Sequence, residues 1–362
     1  MTIVRIGTFN VENLFSRAKA LNKRSFEATS GRLAKIGDLE NELAKKTYDK
    51  DRIVELYREV KDYISFNVTR SEGRKSIVLF DRRTGKFKVD VKGRDDWEGF
   101  IELKRDSFDG TTVKNTAKVI KALKADILCM VEVEDRQTME QFDTEALGNM
   151  YGAAFSIQGN DQRGIDVGIY AKKDWAVVDV DTHIFERSGR APLFSRDCLR
   201  VALRKDDITV NVLANHFKSK SGRDQATNNA RRRRQAERVS QILGDSYDLR
   251  SDLVVVAGDL NDTPDSEPLA PLLATPRLTD AFQAAGVAEA DRWTYHFRSN
   301  EQIDYLLLSD ALTSKLQHIE VERRGIADVD KFTSGAIRPF DSVTHWSNAA
   351  SDHAGVVAEF EL

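Results

Sequence analysis

The sequence contains little cysteine or proline and no long apolar run. Of its 362 residues, two are cysteines and six are prolines, which excludes a disulfide framework and a proline-rich linker. The absence of about 18 consecutive apolar residues excludes a transmembrane helix. The first ten residues, MTIVRIGTFN, contain no basic region followed by an apolar one. We therefore expect no signal peptide and a cytoplasmic location, with Cys129 and Cys198 as reduced core thiols.

Charge is balanced over the whole chain but unevenly placed along it. The sequence has 55 Lys and Arg against 58 Asp and Glu, and 41% of its residues are hydrophobic. That hydrophobic content suffices for a large core and is too high for a disordered chain. Residues 16–115 contain 24 basic and 18 acidic residues. Residues 217–238 contain eight basic and two acidic residues. An anionic partner and a solvated helix face both explain such segments.

The pattern of apolar residues predicts an α/β protein with packed sheets. Short apolar runs predict strands at 3–9, 126–131, 165–171, 175–183, 197–204, 208–215, 252–258, 303–308, 318–323 and 354–361. Helical spacing predicts two helices within 31–62 and others at 112–124, 134–147, 225–244 and 266–274. We expect one domain over 1–362. Residues 16–111, with two helices and a hairpin turning at 83–85, form an insertion in it.

Polar side chains stand at the ends of these predicted strands, where a scaffold presents functional groups. Five clusters follow or precede strands, and one further carboxylate lies inside an apolar strand: Asn10 with Glu12, Glu132, Asn215 with His216, Asp259 with Asn261, Asp352 with His353, and Asp304. Each cluster by itself also has an interpretation without function, such as a solvated carboxylate or an Asx turn. An acid inside an apolar strand needs a partner, because an isolated buried charge is costly.

Together these residues indicate phosphate-ester hydrolysis. Carboxylates and carboxamides are the oxygen ligands that Mg²⁺ prefers, and histidines near carboxylates serve as acid or base groups. Such hydrolysis needs a metal, a base for water and donors for the developing charge. A structural zinc site is a poor alternative because no cysteine pair is present. The sequence also has no P-loop, dinucleotide-binding glycine run or G-x-S-x-G motif.

The order and spacing of the clusters resemble the endonuclease/exonuclease/phosphatase superfamily, which includes pancreatic deoxyribonuclease. The matching segments are Thr8–Glu12, Asp126–Glu132, Asn215–Ser219, Gly258–Asn261, Ile303–Tyr305 and Ser351–His353. The resemblance covers residues 2–15 and about 112–362, and residues 16–111 have no counterpart in it. It implies a four-layer α/β/β/α sandwich, in which two mostly antiparallel sheets pack face to face with helices outside.

The resemblance also implies a role for each residue. Glu132 is the main metal ligand, with Asn10, Glu12 and Asp352 beside it in the metal and phosphate site. Asp259 orients or deprotonates the attacking water, and Asn261 donates to a phosphoryl oxygen. His353 contacts the scissile phosphate and is held by Asp304. His216 is the second histidine of deoxyribonuclease-like members, and Asp197 in the segment 194–197 orients it. Abasic-site endonucleases carry an aromatic hydroxyl at that position, so His216 argues against close membership of their group.

The basic segments leave more than one interpretation open. Lys218 and Lys220 follow His216 and could meet substrate phosphates. The four arginines 231–234 spread around a helix, so they form either a solvated face or phosphate contacts. The insertion is a lid or clamp over the active edge, an interaction module, or an addition without a function of its own, and Trp97 in it packs in a core or stacks on a base.

We therefore expect a phosphoesterase that depends on Mg²⁺ or Mn²⁺. The expected substrate is nucleic acid, with DNA expected before RNA, and the expected reaction has no covalent enzyme intermediate. A phosphatase or phosphodiesterase for a small substrate and a non-catalytic scaffold are the alternatives. No protein partner can be identified from the sequence.

Overall fold

The computed structural model describes residues 2–16, 18–21, 26–71, 75–108, 110–220, 222 and 224–362. The strands are β1 (Ile3–Leu14), β2 (Ile64–Ser71), β3 (Leu79–Asp81), β4 (Lys86–Lys88), β5 (Trp97–Leu103), β6 (Ile127–Val133), β7 (Ala153–Ser156), β8 (Asp166–Ala171), β9 (Ala176–Asp181), β10 (Arg187–Ser188), β11 (Ala191–Pro192), β12 (Cys198–Lys205), β13 (Ile208–His216), β14 (Leu253–Asp259), β15 (Leu278–Asp280), β16 (Tyr295–His296), β17 (Asn300–Glu301), β18 (Asp304–Ser309), β19 (Leu316–Glu322) and β20 (Gly355–Glu361).

The α-helices are α1 (Phe26–Leu43), α2 (Lys50–Val60), α3 (Thr111–Leu123), α4 (Arg136–Phe142), α5 (Gln225–Ser246), α6 (Ala270–Leu273), α7 (Ala281–Ala284), α8 (Asp310–Thr313) and α9 (Val329–Phe332). Aspartate side chains begin several of them, since a carboxylate accepts from the free N–H groups of a first turn. Asp135 accepts from Thr138 N at 2.6 Å at the start of α4, and Asp224 accepts from Thr227 N at 3.0 Å at the start of α5.

The chain divides into two compact units, Met1–Phe15 with Phe108–Leu362, and Ser16–Ser107. The larger unit contains two six-stranded sheets, ordered β19-β20-β1-β6-β8-β7 and β15-β18-β14-β13-β12-β9. Within these sheets β1 pairs with β6 and β13 with β14 in parallel, and the other pairs are antiparallel.

Alternation along the strands shows how the layers are stacked. On β6, Ile127, Cys129 and Val131 point into a core shared with β12, β13, β14 and β18. Leu128 and Met130 on the same strand point to the other side, into a core with α3 and α4. A third core lies between the second sheet and α5 with α6. Two sheets packed face to face and covered by helices confirm the predicted four-layer α/β/β/α sandwich.

The smaller unit has a core of its own, formed by α1, α2 and two two-stranded sheets, β2 with β5 and β3 with β4. Trp97 is buried there and donates from Nε1 to Tyr48 Oη at 2.6 Å, so it packs in a core. The predicted hairpin is present as β3 and β4, with Phe80 opposite Phe87. Strand β2 was not predicted, although Ile64, Phe66 and Val68 alternate with polar residues, because the alternation is short and follows directly on the predicted helices.

Both cysteines are free and buried, as predicted. Within the described residues, no helix has the length and apolar character needed to cross a membrane.

Candidate active site

The predicted clusters meet at one edge of the sandwich because the strands that carry them end there. On the first sheet, Asn10 of β1 pairs with Val131, the residue before Glu132. On the second sheet, Asp259 of β14 stands between His216 of β13 and Asp304 of β18. The Nδ2 of Asn10 donates to Oδ2 of Asp259 at 3.2 Å, which joins the two sheets at this edge.

His353 is held by a buried carboxylate. Its Nδ1 lies 2.8 Å from Oδ2 of Asp304, a residue with no solvent exposure. The same oxygen accepts from Thr294 Oγ1 at 2.7 Å, so its position is fixed. Burial by itself lowers the pKa of His353, but Asp304 and Asp259 outweigh it and raise the pKa to about 10. The imidazole is therefore a cation at neutral pH, with Nε2 free to face a ligand.

Asp259 is enclosed by amide donors. Its Oδ1 accepts from Asn261 N at 2.8 Å, and its Oδ2 accepts from Asn261 Nδ2 at 3.0 Å and from Asn10. Burial raises the pKa of Asp259 to about 7, the range in which a carboxylate can exchange a proton with water. The Nδ2 of Asn261 also donates to Phe217 O at 3.2 Å. Since both amide protons of Asn261 are used inside the protein, this arrangement does not support the predicted donation to a phosphoryl oxygen.

His216 stands in a different environment from His353. Its Nε2 lies 3.6 Å from Oδ2 of Asp259 and 3.8 Å from Oε1 of Glu132. Burial, followed by the positive charge of Arg196, lowers the pKa of His216 well below its usual value. His216 is thus neutral at pH 7, and its buried Nδ1 has no hydrogen-bond partner.

Three carboxylates converge beside these groups. Glu12 Oε2 accepts from Asp352 N at 3.1 Å. Burial and the charge of Asp352 raise the pKa of Glu12 to about 6, and burial also raises the pKa of Glu132. Mutually repelling oxygen donors of this kind fit a hard divalent cation, which would offset their charge. Asp259, Asp304 and His353 offer ligand atoms within 4.8 Å of one another, but the contact of Asp304 Oδ2 with His353 Nδ1 already accounts for the closeness of two of these residues.

Several of these residues have an uncommon backbone conformation. Glu12, Glu132 and Asn261 have φ angles of 50°, 66° and 56°. Left-handed backbone at residues other than glycine is sparsely populated and concentrates at functional sites. Gly258 has φ 133°, and a Cβ atom there would lie 1.9 Å from Asn215 O. The glycine of the Gly258–Asn261 segment is therefore required for the close approach of β13 and β14.

A cavity of about 740 Å³ covers the site. Most of the predicted residues line it: Asn10, Glu12, Glu132, His216, Lys220, Asp259, Asn261, Asp352 and His353. Asp304 lies behind His353. Lys220 lies in the cavity wall, where its Nζ pairs with Glu301 at 2.5 Å.

Asp197 does not orient His216, contrary to the prediction. Its Oδ2 accepts from Thr182 Oγ1 at 2.6 Å and its Oδ1 from His183 N at 2.7 Å. Both carboxylate oxygens are directed to the segment after β9, and Nδ1 of His216 is left unpartnered. Asp197 therefore fixes the backbone at 182–183.

Lys218 and the arginines 231–234 also lie away from the cavity lining. The backbone N of Lys218 donates to Gln235 Oε1 at 2.8 Å. Arg232 is fully buried, where it pairs with Asp262 at 2.7 Å and donates to Lys218 O at 2.7 Å. Arg232 therefore belongs neither to a solvated face nor to a phosphate contact. Instead, it connects the loop after β13 to helix α5.

Sequence reasoning missed several residues of the cavity wall, among them Arg163, Arg196 and Tyr295. Arg196 is buried and donates from Nη2 to Phe217 O at 2.6 Å. The ring of Tyr295 lies 4.8 Å from that of His353. Arg196 stands inside the segment 194–197, where the adjacent aspartate drew attention instead. Arg163 and Tyr295 lie in loops or short strands without any motif that could have identified them.

The fold and the acidic, histidine-containing site at the sheet edge define a four-layer α/β/β/α sandwich with a candidate active site between the ends of its two sheets. The chain belongs to the endonuclease/exonuclease/phosphatase family, which matches residues 105–353, more than half of its length. This confirms the resemblance found in the sequence. Comparison with curated protein sequences finds no match.

Solved structures show the same fold. Truncated TDP2 from Caenorhabditis elegans is 22% identical, with a TM-score of 0.50 over 71% of this chain and 95% of that one. An endonuclease/exonuclease/phosphatase from Bacteroides vulgatus is 17% identical, with a TM-score of 0.52 over 70% and 90%. TDP2 from D. rerio, complexed with a single-strand DNA product, is 17% identical, with a TM-score of 0.51 over 71% and 96%.

Proposed function

We propose that this chain is a metal-dependent phosphodiesterase that cleaves nucleic acid by direct attack of water on phosphorus, and that its main substrate is DNA. The observation that carries the proposal is the pairing of a buried Asp304–His353 couple with Asp259 in one cavity. These groups supply a cation for the phosphate and a carboxylate for the water. Family membership and the DNA product bound by D. rerio TDP2 support this substrate class.

Asp259 serves as the base in this proposal. Asn10 and Asn261 hold its oxygens, and burial raises its pKa to about 7. It takes the proton of the attacking water, whose oxygen forms the new bond to phosphorus as the ester bond to the leaving oxygen breaks. The carboxylate is thus fixed before the substrate arrives, and little reorganisation is needed.

His353 stabilises the negative charge that develops on the phosphoryl oxygens. Its imidazolium is held by Asp304 and presents Nε2 toward the carboxylate cluster, 3.8 Å from Asp352 Oδ1. Glu12, Glu132, Asp352 and Asn10 would hold Mg²⁺ or Mn²⁺. The metal supplies neutralisation of phosphoryl charge and polarisation of the attacking water.

The test is a substrate panel run with D259N and H353A. It contains supercoiled plasmid, single-stranded DNA, RNA, bis-p-nitrophenyl phosphate and p-nitrophenyl phosphate, with Mg²⁺ or Mn²⁺. We expect nucleic-acid cleavage that EDTA abolishes and that both variants lose by about 100-fold or more. The matched control is D265N, because Asp265 is exposed and accepts from Thr263 Oγ1 at 2.6 Å.

Near-wild-type turnover of D259N would show that Asp259 is not the base. Hydrolysis of the small esters alone would move the assignment to a small-molecule phosphoesterase. Binding without any metal-dependent hydrolysis would favour a scaffold.

A further inference from the structure

A series of basic side chains extends from the active-site cavity over hairpin β10–β11 to helix α5. We call it the basic strip, and it consists of Arg163, Lys218, Arg231, Arg234, Arg187 and Arg190. Arg163 lines the cavity. Arg187 and Arg190 lie on the hairpin, where Nη1 of Arg187 donates to Arg190 O at 2.9 Å. None of these six residues has a role in the chemistry proposed above.

Hydrogen bonds join the cavity to the middle of the strip. Arg196 in the cavity wall donates to Phe217 O, the residue before Lys218. Gln235 of α5 accepts from Lys218 N at 2.8 Å and donates to Leu193 O at 3.1 Å. The loop after β13, the segment after β11 and helix α5 are therefore packed against one another beside the cavity.

Arg231 joins the helix to the hairpin. Its Nη2 donates to Pro192 O at 2.8 Å and its Nε to Leu193 O at 3.3 Å. Burial and the charges of Arg196 and Arg231 lower the pKa of Lys218, and burial and the charge of Arg234 lower the pKa of Arg231. Neighbouring cations thus act on one another along the strip.

The outer part of the strip has uncompensated charge. Arg187, Arg190 and Arg234 are exposed, and none forms an ion pair with a carboxylate in the part of the chain that the structure describes. The nearby Glu186 is engaged by Arg238 at 2.7 Å. Unpaired like charges repel one another, and a polyanion removes that repulsion.

An exposed aromatic residue lies beside these arginines. Phe185 precedes β10 by two residues and has 81% of its surface exposed. Phosphate groups satisfy arginines, and planar bases stack on aromatic rings, so a single nucleic-acid strand satisfies both features. An anionic lipid surface would satisfy the arginines and bury the ring without stacking on it, and the abasic oligomer and the vesicles in the test below separate this case from a nucleic-acid strand.

We propose that the basic strip binds the phosphate backbone of a single nucleic-acid strand on one side of the scissile phosphate, with a base stacked on Phe185. The inference rests on the proposed function, because it places the strand that continues from the reacting phosphate. In this proposal the strand leaves the active-site cavity beside Arg163, which lines it.

The test compares two triple variants of the full chain. R187Q/R190Q/R234Q removes three charges from the strip, and R204Q/R250Q/K315Q removes three exposed charges elsewhere. Arg204 lies at the far end of β12, Arg250 before β14 and Lys315 before β19, so all three lie away from the edge that holds the site. Binding of a fluorescein-labelled single-stranded 20-mer is followed by anisotropy in EDTA from about 50 to 300 mM NaCl.

We expect the strip variant to bind about 50-fold more weakly at 0.15 M salt. We also expect its slope of log affinity against log salt to fall by about 2, since each single-strand phosphate contact contributes about 0.7. The control variant should bind as the wild type does. F185A should weaken binding of the 20-mer by about 5-fold or more, and should not affect an abasic oligomer of equal length.

Equal binding by the two triple variants would overturn the strip proposal while leaving the proposed function intact, because cleavage by the wild type is measured separately. A wild type that neither binds nor cleaves any nucleic acid, yet hydrolyses small esters, would overturn both. Binding to anionic vesicles but not to the oligomer would identify the strip as a lipid surface and refute the proposal.

Discussion

Replacing Asp304 with Asn should lower the pKa of His353 and move the alkaline limit of activity with it. Asp304 Oδ2 lies 2.8 Å from His353 Nδ1, and its charge helps to raise the pKa of His353 to about 10 against the effect of burial. Asn has nearly the same size and can still accept a proton donated by Nδ1. The substitution therefore removes the charge and keeps the contact.

The magnitude follows from the two pKa values. Without the charge of Asp304, burial is opposed by the remaining charges of Asp259 and Asp352, so the pKa of His353 should fall; a fall to its ordinary value of about 6.5 sets the scale of the effect. At pH 8 the protonated fraction then falls from about 99% to about 3%. If the imidazolium stabilises the transition state, kcat should fall about 30-fold at pH 8 and much less at pH 6.

Two measurements check this expectation. An NMR titration of the imidazole in metal-free protein gives the pKa of His353 directly, and a pH–rate profile on bis-p-nitrophenyl phosphate with Mg²⁺ gives its effect on turnover. T294V is the matched control, because Thr294 Oγ1 donates to the same oxygen of Asp304 at 2.7 Å and carries no charge. T294V should keep its alkaline limit near that of the wild type.

Stability provides an independent readout. A histidine whose pKa is raised on folding stabilises the folded state fully below about pH 6.5, and this contribution is lost as the pH rises toward 10. In EDTA, the thermal stability of the wild type should decline over that window more steeply than that of D304N. An unchanged NMR pKa, or the same alkaline limit in both proteins, would refute the assignment of Asp304 as the residue that holds the charge of His353.

Three further predictions concern packing, metal and pH. R232M should cost about 3–5 kcal/mol of unfolding free energy in urea titrations, because it removes the 2.7 Å partner of the buried carboxylate of Asp262 and leaves it the longer contact of 3.8 Å with Lys220 Nζ; R234M, at an exposed site, should cost less than about 0.5 kcal/mol. E132Q should raise the Mg²⁺ concentration needed for half-maximal activity about tenfold or more, and an unchanged requirement would remove Glu132 from the metal site. Burial raises the pKa of Asp166 to about 6, so wild-type stability should fall as the pH rises from about 4 through 6, and D166N should lose this dependence in thermal scans.

The sequence allowed most of the sandwich and of its site to be predicted, for a physical reason. Strands buried on both faces are nearly continuous apolar runs, and β6, β13 and β14 were all visible in this way. The polar residues that follow such runs must lie at a sheet edge. In contrast, β2 has one buried residue among eight, and the four residues of β7 are all only partly buried, so neither strand is a continuous apolar run.

The errors concern which partner a side chain meets. Asp197 and His216 lie near the paired ends of β12 and β13, because Cys198 faces Asn215, but their interaction was predicted from the family resemblance of segment 194–197 alone. Only the positions of Thr182 and His183 show that the carboxylate is already used. Such competition between donors depends on residues distant in sequence, and no local motif reports it.

The two histidines show how one sheet edge can hold imidazoles in opposite charge states. Asp304 contacts His353 and raises its pKa, whereas burial and Arg196 lower the pKa of His216. An acid and a base can operate at the same pH when their environments separate their pKa values. Asp259 Oδ2 lies 3.6 Å from His216 Nε2. A neutral His216 can donate to that carboxylate or accept a proton from the attacking water of the proposed reaction. A cationic His353 can only donate, so of these two imidazoles His353 is the one suited to face a phosphate.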